Sequence, residues 1–479
     1  MIVNEISPDQ LSTGKIDASC RVPLLALFGG AALWLVVGLL LALIASLNFH
    51  MPEKFANCPL LTYGRVQPAA NDAIIYGFAI PAALGVLLWI FARLSQTELV
   101  LPLVPIVAAN IWHLGVLVGI IGILIGDSTG FAWLEFPRGG SVLLFAAFLL
   151  IAISAVATFS QRKERELYPS HWFLLAALLW FPWIYSTANL FLVAWPVRGV
   201  AQAVISWWFV DNLIFVWLAL VGIGTAFYFL PKLAGRPLQS HYFALFAFWT
   251  LILFSTWCGI PQGAPVPAWL PALSSVASAL TIVPLIAIAV ILVKTVCGAN
   301  VSCKGGPFCY LKFGTTAFIL SGLMLIASAC PQISCVTEFT WFGPAQTQLQ
   351  ILGFFAIVMF GAIYELLPRV MGFELPFPKF VRLQHWLFML GTVLLVASLA
   401  IGGIEQGLKL QNVGIAFLDV TQATLPFLRA STLGLLFLLL GSLLFAANIF
   451  VMTFKWKLAL FKSVIAAVKA PLETAEVKS

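Results

Sequence analysis

Charge is nearly excluded from one stretch of this chain after another, each about twenty residues long. That exclusion limits the possible folds more than any other feature. Only 9% of the 479 residues are charged and 62% are hydrophobic, with a mean hydropathy of +1.03. A soluble domain carries roughly a quarter charged residues, because its surface has to face water. Lipid is the solvent that fits this chain. In lipid, backbone N–H and C=O groups must be paired internally, which selects helices.

Apolar runs long enough to cross a bilayer fall at 22–47, 72–94, 101–125, 141–159, 171–192, 204–229, 242–258, 270–296, 313–329, 346–367, 383–401 and 431–454. The expectation is an all-α integral membrane protein, a bundle of about twelve transmembrane helices. It divides into an N-terminal segment at 1–21, one membrane domain at 22–454 and a polar tail at 455–479. The first run lacks a small-residue cleavage site and reads as a retained helix. With the N-terminus placed in the cytoplasm, 19 Lys and Arg residues fall inside and 6 outside. This bias predicts both termini on the cytoplasmic side. The net charge of +7 is spread over short loops, without a basic stripe, so no nucleic-acid partner is expected.

Ionisable and amide groups at membrane depth are costly and therefore candidates for function. The candidates are Asp211 and Asn212 in the sixth run, His113 in the third, and Gln346, Gln348, Gln350 and Glu365 in the tenth, with Asn110 and Asp72 beside them. Asp211 follows Trp207, Trp208 and Phe209 and is the foremost of these. It reads equally as a proton carrier or as half of a buried pair. The glutamines also read as interhelical hydrogen-bond partners, His113 as a packing histidine, and Glu365 as an ion-pair partner of Arg369. Cys297, Cys303 and Cys309 match no common metal spacing and read as loop thiols. Cys330 and Cys335 are a candidate disulfide in an outer loop.

Several stretches carry a family likeness: Leu-Thr-Tyr-Gly-Arg at 61–65 with Pro68, Trp207-Trp208, Phe-Leu-Pro-Lys-Leu-Ala-Gly-Arg-Pro at 229–237, Trp257-Cys258-Gly259, Tyr-Glu-Leu-Leu-Pro-Arg at 364–369, His385-Trp386 and Gly-Gly-Ile-Glu-Gln-Gly at 402–407. In this order they resemble subunit I of the haem–copper oxidases, the cbb-type cytochrome c oxidases in particular. The resemblance implies a bundle of at least about twelve helices. It also implies six histidine ligands: two for a low-spin haem, one for a high-spin haem and three for copper. This chain has five histidines, His50, His113, His171, His241 and His385. By the same resemblance the ligand positions fall at Ala70, Asp211, Pro261, Gln262, Gln346 and Gln348. No haem or copper is therefore expected, and aromatic side chains are expected to fill the vacated space.

The resulting expectation is a haem-free, copper-free relative of oxidase subunit I, a non-catalytic membrane subunit of a respiratory complex in the bacterial cytoplasmic membrane. Its partners would be other membrane subunits and lipid. The alternative is a proton-conducting or quinone-binding module. An active oxidase with unusual ligands is the remotest reading.

Overall fold

The computed structural model describes residues 8–299, 301, 303 and 305–476. Among these, eleven helices are long and apolar enough to cross a membrane, and a twelfth is shorter. In chain order they are α1 (Pro8–Leu47), α2 (Tyr63–Leu94), α3 (Leu103–Ile125), α4 (Arg138–Ser160), α5 (Pro169–Ala194), α6 (Val200–Ala234), α7 (His241–Ser255), α8 (Trp269–Val296), α9 (Pro307–Ser328), α10 (Phe342–Met371), α11 (Pro378–Leu410) and α12 (Phe417–Glu476). The chain is an integral membrane protein, and each apolar run of the sequence falls on one of these helices.

The helices overrun the expected segments. α1 begins at Pro8 inside the expected N-terminal segment, and α12 continues through most of the expected tail to Glu476. Hydropathy marks only the membrane-embedded part of a helix, whereas the backbone ladder continues past it until a breaker stops it. Residues 1–7, 477–479 and Lys304, parts of the sequence expectations, lie outside the described residues.

Burial sorts the bundle into a centre and a ring. The most apolar window of α2 is 100% buried, that of α6 94% and that of α10 89%, while α4 and α5 bury only 39%. The ring helices therefore present apolar faces to lipid, and α2, α6 and α10 touch protein on all sides. Each central helix changes from α to π geometry partway along: at Ala73–Ala79 in α2, Asn212–Trp217 in α6 and Leu349–Ala356 in α10. A π turn inserts a residue and re-aims the side chains around it, a geometry frequent at functional sites. Asp72 and Asp211 immediately precede two of these turns and Gln348 the third.

Small residues let the helices approach. α11 meets α12 at Gly391 and Gly434. A Cβ on Gly391 would lie 2.9 Å from the Gly434 carbonyl oxygen, and a Cβ on Gly434 would lie 2.8 Å from that of Gly391. At the ends of α1 and α2, Trp89 Nε1 donates to Asp17 (2.9 Å) and Arg93 pairs with it at 3.7 Å.

The candidate Cys330–Cys335 bridge is not formed; both thiols are free, and a disulfide joins Cys303 to Cys309. Cys330 caps the short helix Pro331–Thr337, which contains Cys335. Five residues of helix rotate the second side chain about 140° from the first. The reading of Cys303 and Cys309 as loop thiols is corrected accordingly.

Gly391→Val is expected to cost about 1–3 kcal/mol through overpacking and to lower the thermal midpoint in detergent. Gly29→Ala, with nothing within 4 Å of the added Cβ, is expected not to lower it.

Candidate functional site

Two cavities flank the start of α10 and share Gly343 as a lining residue. One has a volume of about 380 Å³ and is lined by Gln67 and Asn71 of α2, Gln348 of α10, and the rings of Phe49, Trp133 and Trp341. Its apolar side comes from Leu395, Leu399, Leu428 and Leu435. The other, about 260 Å³, is lined by Pro261, Gln262, Gln346 and Glu338 with three serines of α8. Gln346 and Gln348 are two residues apart, so they point about 200° apart around the helix, one to each cavity.

Gln348 Oε1 and Gln346 Nε2 are buried without a hydrogen-bond partner. Gln67 Nε2 donates to Asn71 Oδ1 at 3.0 Å. On the smaller cavity the polar groups are paired more fully. Gln262 donates from Nε2 to Ser275 Oγ (3.0 Å) and to the Ala329 carbonyl (2.9 Å). Glu338, which the sequence reading passed over, accepts from the backbone amides of Gln262 (2.7 Å) and Gly263 (2.9 Å). One carboxylate thus closes the loop after Gly259. A lone glutamate beside a short outer helix gave no signal of this in the sequence.

Asp211 is 3% exposed, and its Oδ2 has no partner. Gly259, at φ +95°, packs its backbone against the Asp211 side chain. Glycine tolerates both that φ and that proximity. Asn212 is a packing amide: it donates to the Trp208 carbonyl (2.9 Å) and accepts from Trp180 Nε1 (3.1 Å).

The other candidates do not join this site. Gln350 borders a separate void of about 30 Å³. Glu365 pairs with Arg369 one turn on, and Asn110 Nδ2 donates to its own helix at Ile106. His113 lies against Gly30 with Nε2 at 3.2 Å from the Ala26 carbonyl. Ala70 is fully buried and contributes only a methyl group.

No histidine lines either cavity. His50 bonds Thr432 at 2.8 Å, His171 stacks on Phe91, His241 packs on Tyr168 and His385 on Tyr310. The rings of Phe49, Trp133 and Trp341 line the larger cavity and leave it partly unfilled.

Asp72, fully buried, faces Glu135 of the segment joining α3 to α4. The sequence reading did not single out Glu135, because a loop carboxylate is ordinarily solvated.

A helical bundle with polar cavities beside its central helices defines a polytopic membrane protein. The chain belongs to the family described as Cytochrome C and Quinol oxidase polypeptide I, whose profile matches residues 22–437. It is similar to the Cbb3-type cytochrome c oxidase subunit CcoN1 of Stutzerimonas stutzeri, 26% identical over 440 residues that cover 88% of this chain and 92% of the relative. It is likewise similar to the cytochrome c oxidase subunit 1 of Rhodobacter capsulatus, 26% identical over 446 residues, covering 87% of this chain and 82% of that one. Among solved structures it matches a haem–copper terminal oxidase dimer with a TM-score of 0.70 at 14% identity, over 90% of this chain and 84% of that one.

Glu338→Ala removes a carboxylate acceptor from two amides. It is expected to raise amide exchange in residues 260–264 by about tenfold or more, read by hydrogen-exchange mass spectrometry, with the α10 core unaffected.

Proposed function

We propose that this chain is a haem-free, copper-free member of its family, acting as a non-catalytic membrane subunit of a respiratory electron-transport complex. One observation carries this reading: the central helices α2, α6 and α10 present Ala70, Asp211, Gln346 and Gln348 where the resemblance places histidine ligands. Alanine has no donor atom, and amide and carboxylate oxygens are poor substitutes for imidazole at haem iron. Pro261 and Gln262, in the place of the remaining copper ligands, are bent into a loop whose amides and side chain are engaged by Glu338, Ser275 and Ala329. The residues present do not fit either group, and no chemical step is assigned through one.

The family architecture supports a role among other subunits. Relatives named as oxidase subunit 1 are parts of membrane complexes. The lipid-facing ring here exposes many large apolar side chains, Trp183, Trp249 and Trp386 among them, on which neighbouring membrane subunits or lipid can pack. The charge bias supports an orientation with both termini on the cytoplasmic side, and the location in this reading is a bacterial cytoplasmic membrane.

A second reading, proton conduction or quinone binding, is favoured by the unpartnered Asp211 oxygen and by the aromatic cavity at Gln348.

Affinity purification in mild detergent is expected to bring down membrane haem proteins with this chain, and Asp211→Asn is expected to leave their electron-transfer rate unchanged. A drop of tenfold or more in that mutant, with the complex intact, would move the assignment to the proton-conducting reading.

A further inference from the structure

Three oxygens in one buried place lack a hydrogen-bond donor: Asp72 Oδ1, Asp72 Oδ2 and Glu135 Oε2. Asp72 is 0% exposed and Glu135 7%. Tyr76, one turn on from Asp72, donates to the Trp133 carbonyl at 2.6 Å and packs its ring on Phe136 at 5.1 Å, which brings the Asp72 and Glu135 carboxyls together. Two buried ionised carboxylates side by side would face both desolvation and mutual repulsion. A cation or a proton would relieve that.

The surroundings argue for a proton. The titratable neighbours among the described residues are Tyr76 on α2 and Tyr185 on α5. Neither hydroxyl carries a positive charge. The guanidiniums flanking the segment are engaged by carbonyls: Arg65 lies over Gly126 and donates to the Leu124 carbonyl at 3.1 Å, and Arg138 donates to the Val193 carbonyl at 2.9 Å. Among the described residues, no group of three or more His, Cys, Asp or Glu residues is placed to hold a metal. We propose that Asp72 and Glu135 hold a single proton between them, and that this proton clasps segment 126–137 onto α2.

The clasp bears on the larger cavity. Trp133 lies two residues before Glu135 and lines that cavity. Its backbone is left-handed at φ +62°, a conformation costly for a bulky residue and kept only where the surroundings enforce it. Tyr76 contributes by donating to the Trp133 carbonyl at 2.6 Å, while Trp112 Nε1 holds the Tyr76 carbonyl at 2.7 Å. The carboxyl pair is the titratable part of this attachment. Losing its proton sets two like charges against each other and loosens the cavity wall at Trp133.

Burial pushes the Glu135 carboxyl up to about 7 from its ordinary 4.5. The folded clasp therefore binds more protons than the open segment between those values. Its stability is fully present below the ordinary carboxylate value, is lost as pH rises towards 7, and changes little beyond.

The test is hydrogen-exchange mass spectrometry on the full-length wild-type protein in detergent, corrected for intrinsic exchange. Exchange in 126–137 is expected to rise some tens of fold between about pH 5 and pH 8, with the loop at 260–264 unchanged. Glu135→Gln and Asp72→Asn keep the shape, remove the repulsion and are each expected to flatten that rise. Equal exchange at both pH values in the wild type would overturn the proposal, as would a rise that persists in both variants. Restored protection at pH 8 on adding calcium would also overturn it, making the pair a cation site.

Discussion

Everything in this molecule follows from having to satisfy backbone polar groups where no water is available. Helices solve that problem locally, which is why each apolar run became a helix of this bundle. The solution is strictest in α2, α6 and α10, whose most apolar windows are 89–100% buried. The protein places its polar exceptions in these helices, next to π turns that shift side-chain direction by one residue. Asp72, Asp211 and Gln348 each stand immediately before such a turn. Position along the chain and direction into the core are thus coupled.

The fold was largely legible in the sequence because it rests on hydropathy, length and basic loops. Even the short α7 lay within an apolar run. Helix ends were less legible: nothing in the composition of 417–430 announced that α12 would begin at Phe417, well before its apolar run. The site was legible only in part. Gln346 and Gln348 were marked as polar groups in the core, but the single list of candidates conceals a division. A two-residue step sends them to different cavities, and Gln350, Glu365 and His113 go elsewhere. Glu135 and Glu338 gave no signal, because the function of a loop carboxylate depends on which distant backbone or acid it meets.

The cavities give the proposed loss of cofactors a physical form. A bundle that gives up a large prosthetic group must repack or keep a void, and voids cost stability in proportion to their volume. The rings of Phe49, Trp133 and Trp341 line a cavity of about 380 Å³ on one side of α10, and a second of about 260 Å³ lies on the other. The larger is bounded by amides and aromatic rings, and its wall at Trp133 is tied down through Tyr76. Family membership therefore fixes the scaffold, while activity depends on individual side chains.

The central claim is that the scaffold carries neither haem nor copper. Its most direct test is a dithionite-reduced minus oxidised visible spectrum of the purified chain, with iron and copper measured on the same sample. The account predicts a flat spectrum and neither metal in stoichiometric amount. Haem bands at one or more per chain would contradict it, and would mean that His113 or another of the five histidines serves as a ligand from a position outside both cavities.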